Sequence, residues 1–159
     1  MKEKISIKNV LDALEAQEYR YEIVGTREFL ITYNRKQYAV LCEHLPVVFM
    51  EYSISYQHAP TEDFDILWSA MNSVNLRLNR VKIMLAEEDI YFRICEKIVY
   101  SESLPMFLAD AMEELDEIVE EFRISCKVLS KEKKSDMEQL VEKMMNPTNS
   151  MLNGKGIQS

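Results

Sequence analysis

Residues 62–78, EDFDILWSAMNSVNLRL, followed by 80–86, RVKIMLA, and 90–100, IYFRICEKIVY, decide the fold of this 159-residue chain. Phe64, Leu67, Trp68, Met71, Val74, Asn75 and Leu78 recur at the spacing of one buried helical face. Ala59-Pro60-Thr61 leads in, with Thr61 as the predicted N-cap and Glu62, Asp63 and Asp65 in the first turn, where the helix dipole favours carboxylates. The period then changes from helical to two. Val81, Ile83 and Leu85 alternate with Lys82 and Met84, and Ile90, Phe92 and Ile94 alternate with Tyr91, Arg93 and Cys95. Glu87-Glu88-Asp89 is the turn between them. A helix followed by an antiparallel strand pair is the predicted centre of the fold.

Upstream, Ser6 is placed to cap a helix whose stripe is Ile7, Val10, Leu11 and Leu14, ending near Gln17. Tyr19, Tyr21 and Ile23 alternate with Arg20 and Glu22, the pattern of a half-buried strand. Gly25-Thr26 makes a turn, EFLITY (28–33) a second strand, Asn34-Arg35-Lys36-Gln37 a polar turn and YAVLC (38–42) a third. His44-Leu45-Pro46 breaks that run, because proline has no ladder donor. VVFMEYSISY (47–56) then alternates at Val48, Met50, Tyr52 and Ile54, against Val47, Phe49 and Glu51. The short connections predict antiparallel pairing, with three or four strands before the central helix.

Downstream, Ser103 is predicted to cap a long acidic helix that tolerates Pro105 in its first turn. Its inward stripe is Leu108, Met112, Leu115, Ile118, Val119 and Phe122. The charged run 131–134, KEKK, reads as a break between a single α+β domain over 1–130 and an amphipathic helix over 131–146. Met137, Leu140, Val141, Met144 and Met145 form that helix's apolar side. Asn146-Pro147 stops it, and 147–159 reads as a disordered tail. The predicted class is α+β, an antiparallel sheet carrying helices.

Composition excludes several function classes. A net charge of -8 and a cationic cluster (Lys131, Lys133, Lys134) interrupted by Glu132 argue against a phosphate-tracking surface and against an anionic membrane. The first residues have neither the apolar run nor the cleavage site of a signal peptide. No apolar run is long enough to span a bilayer. Cys42, Cys95 and Cys126 are odd in number and widely spaced, which fits free thiols in the cytoplasm.

The segment Leu67-Trp68-Ser69-Ala70-Met71-Asn72-Ser73-Val74-Asn75, an apolar helix ending in an Asn-x-x-Asn step, resembles the YbjN family of bacterial proteins. The hairpin that follows it, VKIMLAEEDIYFRICEKI, is similar to that family's next two strands. The resemblance covers about Ile5 to Ser130 and implies a fold like that of type III secretion chaperones. It also implies self-association as a homodimer, binding of other polypeptides and no catalytic centre. The segment beyond Lys134 has no counterpart in that pattern.

Candidate sites divide between structural and functional readings. Asn72 and Asn75 share one helical side, where amides bond the following backbone; a ligand-binding amide pair is the alternative. The run Asp110, Glu113, Glu114, Glu117, Glu120 and Glu121 has the spacing for a hard cation, but a di-iron helix site needs a Glu-x-x-His step. It reads as a solvated face, and no metal or other cofactor is predicted. Cys42 and His44 fall on one strand face by alternation, a thiolate–imidazole dyad with no third group to orient it. The tyrosines on the strands read as the rim of a two-layer core, or else as an adaptable binding surface.

The predicted function is therefore a non-enzymatic, chaperone-like protein-binding module that holds a peptide segment of another protein. Trp68 and Met71 on the central helix, with Met137, Leu140, Val141 and Met144 beyond it, are its predicted contact residues. A regulator sensing a small molecule in an apolar pocket is the alternative, and an enzyme with a dispersed site using Cys42 or Glu51 a third.

Overall fold

A computed structural model describes residues 4–77 and 79–145. Leu78, expected on the buried helical face, and the tail from Asn146 onward, expected to be disordered, lie outside the described residues. The elements run α1 (Ile7–Ala16), β1 (Arg20–Gly25), β2 (Glu28–Tyr33), β3 (Lys36–His44), β4 (Val47–Ser55), α2 (Phe64–Asn75), β5 (Lys82–Leu85), β6 (Asp89–Lys97) and α3 (Leu104–Met145), with short 3-10 turns at Tyr56–His58 and Ser101–Ser103. The class is α+β. Six antiparallel strands form one sheet in the order β1-β2-β3-β4-β6-β5, so the segment before α2 holds four strands rather than three.

Local chemistry sets the boundaries. Ser6 and Asn9 form a reciprocal capping box: the Asn9 N–H donates to the Ser6 hydroxyl and the Ser6 N–H donates to Asn9 Oδ1 at 2.8 Å. Asn34 and Arg35 both take positive φ, 51° and 64°, the backbone of a two-residue hairpin turn between β2 and β3. The Leu45–Pro46 peptide is cis in the tight turn joining β3 to β4. At α2 the cap is displaced from the sequence expectation. Asp63, not Thr61, is the N-cap, its carboxylate accepting from the N–H groups of Asp65 and Ile66. Thr61 Oγ1 instead accepts from the Asp63 N–H, which orients the capping residue.

Alternation along the strands sends one set of side chains under the helices. Phe29, Ile31, Tyr38, Val40, Met50 and Phe92 are all buried. They meet Val10 and Leu14 of α1, Leu67 and Val74 of α2, and the inward stripe Leu108, Met112, Leu115, Ile118, Val119 and Phe122 of α3 in one core. The Phe92 and Phe122 rings cross edge-to-face at 5.5 Å, joining sheet and long helix at the centre. Among the described residues the opposite sheet face carries no helix. On it Glu51 and Arg93, directly opposed between β4 and β6, form an ion pair at 2.6 Å.

The largest departure from the sequence reading is α3. Residues 131–134 do not break it, and a single 42-residue helix runs from Leu104 to Met145. Lysine and glutamate are good helix formers and no glycine or second proline interrupts this segment, so charge alone cannot end the helix. The predicted separate helix is its last third, exposed along its whole length from Lys131. None of the helices among the described residues is long and apolar enough to cross a membrane.

Candidate protein-binding surface

α2 lies antiparallel to α3 and presents two kinds of side chain. Ile66, Leu67, Ala70, Met71 and Val74 enter the core. Phe64 and Trp68, one turn apart, remain half outside, with Trp68 at 51% exposure. The sequence places Trp68 and Met71 together on a contact face, and the structure separates them. Met71 is only 8% exposed, because a 100° step per residue turns it under the helix beside Val74. It packs the core, whereas Trp68 stays exposed.

Beside Phe64 an open groove of about 510 Å³ is lined by Tyr56, Thr61, Phe64, Leu67 and Ala86, with Glu62 and Glu87 at its rim. The Tyr56 hydroxyl donates to the Ala86 carbonyl, so the 3-10 turn and the β5–β6 turn are tied together as one wall. That wall is assembled from two segments distant in sequence, and its position is set by α2 docking on β5.

The far end of α3 starts from the same corner. Lys133 forms an ion pair with Asp63, the α2 cap. That contact lowers the Asp63 pKa, and the same partner raises that of Lys133. Beyond this pin Met137, Leu140, Val141 and Met144 are all exposed. Steps of three and four residues keep them in phase with Phe122 and Cys126, which are buried on the body. The stripe that builds the core thus continues past the core, bare.

The two asparagines separate. Asn75 faces β5, where its Nδ2 donates to the Ile83 carbonyl at 3.0 Å and its Oδ1 accepts from the Ile83 N–H at 2.8 Å. Asn72 is exposed and does not join it. Asn79, which sequence reading overlooks, donates to the Val74 carbonyl at 3.0 Å and closes the end of α2. An asparagine just past an apolar helical run was the available signal.

Three acidic residues of α3, Glu114, Asp116 and Glu121, are engaged by cations. Arg80 bridges Glu114 at 2.6 Å and Glu96 at 3.0 Å, and Arg77 meets Glu121 at 2.8 Å. Asp116 accepts from Lys36 and from the Tyr38 hydroxyl; burial and then this bond raise the Tyr38 pKa. Among the described residues no three His, Cys, Asp or Glu side chains are grouped to hold a metal.

Cys42 and His44 do not form a dyad. A register shift between Leu41 and His44 breaks the alternation that would align them, leaving Cys42 buried and His44 exposed. Burial pushes the Cys42 thiol up to about 11, away from thiolate chemistry. A wider, polar concavity of about 760 Å³ crosses the uncovered sheet face, touching Glu28, Thr32, Arg35, Gln37, Glu51 and Tyr91. Compared with known proteins, the chain matches no family model, no curated protein and no solved structure.

Proposed function

We propose that this chain is a cytoplasmic, non-enzymatic, chaperone-like module that holds a segment of a partner polypeptide and works as a homodimer. One observation carries the reading. Phe64 lines a fixed apolar groove, Trp68 stands exposed one turn along α2 from it, and the pinned end of α3 offers a bare apolar stripe from the same corner. Aromatic and methionine side chains of this kind make adaptable contacts with helical or extended segments. The resemblance to the YbjN family supports the reading, as does the element order around α2. The non-enzymatic part is supported by Cys42, whose thiol is raised by burial, and by Glu51, whose carboxylate is held by Arg93.

Trp68 is the sole tryptophan of the chain, so its emission reports directly on this surface. Overlapping peptides from the source proteome, arrayed and then titrated in solution, should include segments that shift Trp68 emission saturably. Replacing Met137, Leu140, Val141 and Met144 together by serine should weaken those segments. No saturable segment would sink the reading. A small-molecule sensor is the second reading, favoured by a groove volume within the range of ligand pockets. It predicts that a metabolite raises the melting temperature while peptides do not.

A further inference from the structure

The chain closes one edge of its sheet and leaves the other open. On β5 the Asn75 amide takes both the N–H and the C=O of Ile83. A residue in an antiparallel ladder turns both groups to the same side, so these are the ones pointing away from β6. The amide therefore caps that edge at Ile83. At the other edge β1 is bonded to β2, and among the described residues nothing else bonds its backbone. Tyr21 is half-buried against the core, and beyond it the side chains are exposed on both faces: Ile23 is 64% exposed and Val24 46%.

Which backbone groups point outward follows from the neighbouring hairpin. The two-residue turn at Asn34-Arg35 closes on Tyr33 and Lys36 as a hydrogen-bonded pair. Alternation along β2 then directs Leu30 and Thr32 toward β1. Their partners Glu22 and Arg20 face inward, and Tyr21 and Ile23 turn their N–H and C=O groups out. An outward donor and acceptor at Tyr21, flanked by exposed apolar and charged side chains, is a template for another strand.

We propose that this edge pairs antiparallel with β1 of a second copy, the two-fold axis passing beside Tyr21, so that two sheets become one continuous sheet. Symmetry and charge select that register. A two-fold axis normal to the sheet must be centred on a residue, because it preserves the face on which each side chain lies. Centred on Arg20 or on Glu22, it sets like charges directly opposite one another, which destabilises a strand pair. Centred on Ile23, it pairs Glu22 with apolar Val24 and leaves Arg20 opposite Thr26, beyond the strand.

Centred on Tyr21, Arg20 meets Glu22 of the second copy on both sides of the axis. These fall at the closer, non-hydrogen-bonded positions, where side chains approach most nearly. Tyr19 and Ile23 then cover each other across the helix-side face. The Tyr19 N–H is already given to the Leu14 carbonyl, and its C=O stays available to the facing Ile23 N–H. Each copy carries -8, a charge that opposes unspecific association. The pairing works because this edge brings its own complementary charges. The inference rests on the proposed function only in taking the chain to be paired, and it names the surface.

The test is sedimentation equilibrium on the full chain, with Arg20→Glu, Glu22→Arg and the double exchange R20E/E22R. Both side chains are exposed, and circular dichroism melts verify that each variant folds. The wild type should dimerise, and each single variant should weaken the dimer by about ten- to hundredfold, since two cross-strand pairs become repulsive. The double exchange should restore it. In the wild-type dimer the Tyr21 and Ile23 amides should gain exchange protection as concentration rises.

A wild type that stays monomeric overturns the proposal. So does a dimer unmoved by either single exchange, or one whose Tyr21 amide stays unprotected. Trp68 emission with a binding peptide, read on the same samples, separates the two readings. An exchange-insensitive dimer that binds peptide removes this edge and leaves the binding module. An exchange-sensitive dimer that binds none does the reverse.

Discussion

Glu51 and Arg93 sit directly opposite each other on the uncovered face of the sheet, with Arg93 Nε 2.7 Å from Glu51 Oε2. Arg93 also lies over the Phe49 ring at 5.3 Å, so its guanidinium is held by a ring on one side and a carboxylate at its edge. Glu51 is the buried member, at 9% exposure. Arg93→Ala leaves that carboxylate without its cation and should cost about 1–2 kcal/mol in urea unfolding. That is less than for a fully buried pair, because the arginine side is half in water. Arg93→Lys should recover only part, having no second nitrogen for the same oxygen.

Asn75 fixes where α2 ends relative to β5. Asn75→Ala strands the Ile83 N–H and C=O together, and denaturant unfolding should show a loss of about 2 kcal/mol. The variant also unseals a strand edge, so light scattering on heating should rise earlier than in an equally destabilised Met71→Ala control.

Met71 and Trp68 give opposite results on truncation. Met71→Ala removes a buried side chain and should destabilise by about 2–4 kcal/mol. Trp68→Ala should change stability by no more than about 1 kcal/mol while abolishing the peptide response of the groove. Equal losses of stability would place Trp68 in the core.

The Asp63–Lys133 contact makes the pin of α3 sensitive to acid. The Asp63 pKa is lowered from its ordinary value of 3.8 mainly by the Lys133 hydrogen bond. A depressed folded value means that the contribution is fully present above the ordinary value and is lost as the pH falls through the folded one. Asp63→Asn keeps the cap and removes the charge. Its melting temperature should lie below wild type at neutral pH and converge with it in strong acid. A gap that persists in strong acid would show that the ion pair is not its source.

The three thiols should separate by reactivity. Cys42 and Cys126 are buried, with thiols raised to about 11, while Cys95 is exposed. Iodoacetamide under native conditions should add one group, mapped by mass spectrometry to Cys95, and all three thiols should react only after unfolding.

The class of the fold was legible because its signals are local. The period-2 runs at Ile90–Ile94 and Val48–Ile54, and the helical spacing of Leu108–Phe122, state which faces are buried without reference to one another. Met71 and Trp68 show where that kind of reading ends. They are three residues apart on one broad apolar stripe, and only the position of β5 under α2 decides which is covered. Residues 131–134 mislead for another reason. A charge run signals solvent, and a solvated helix satisfies that signal as well as a loop does. The Arg80–Glu114 and Lys133–Asp63 pairs join positions with no sequence relation, so no pattern could announce them.

The sheet order also fixes how folding must finish. β1 to β4 are joined by short turns and each pairs with the next in sequence, so hairpin after hairpin can zip with little loop to close. β5 is made before β6, yet its place is beyond β6, where its earliest native neighbour is α2 through Asn75. β6 then has to enter between β4 and β5, pairing along both sides at once. Until that strand arrives, β4 stands as a raw edge and α3 lacks the Phe92 side of its floor. The segment that completes the sheet is therefore Asp89–Lys97, near the middle of the sequence, rather than at either end.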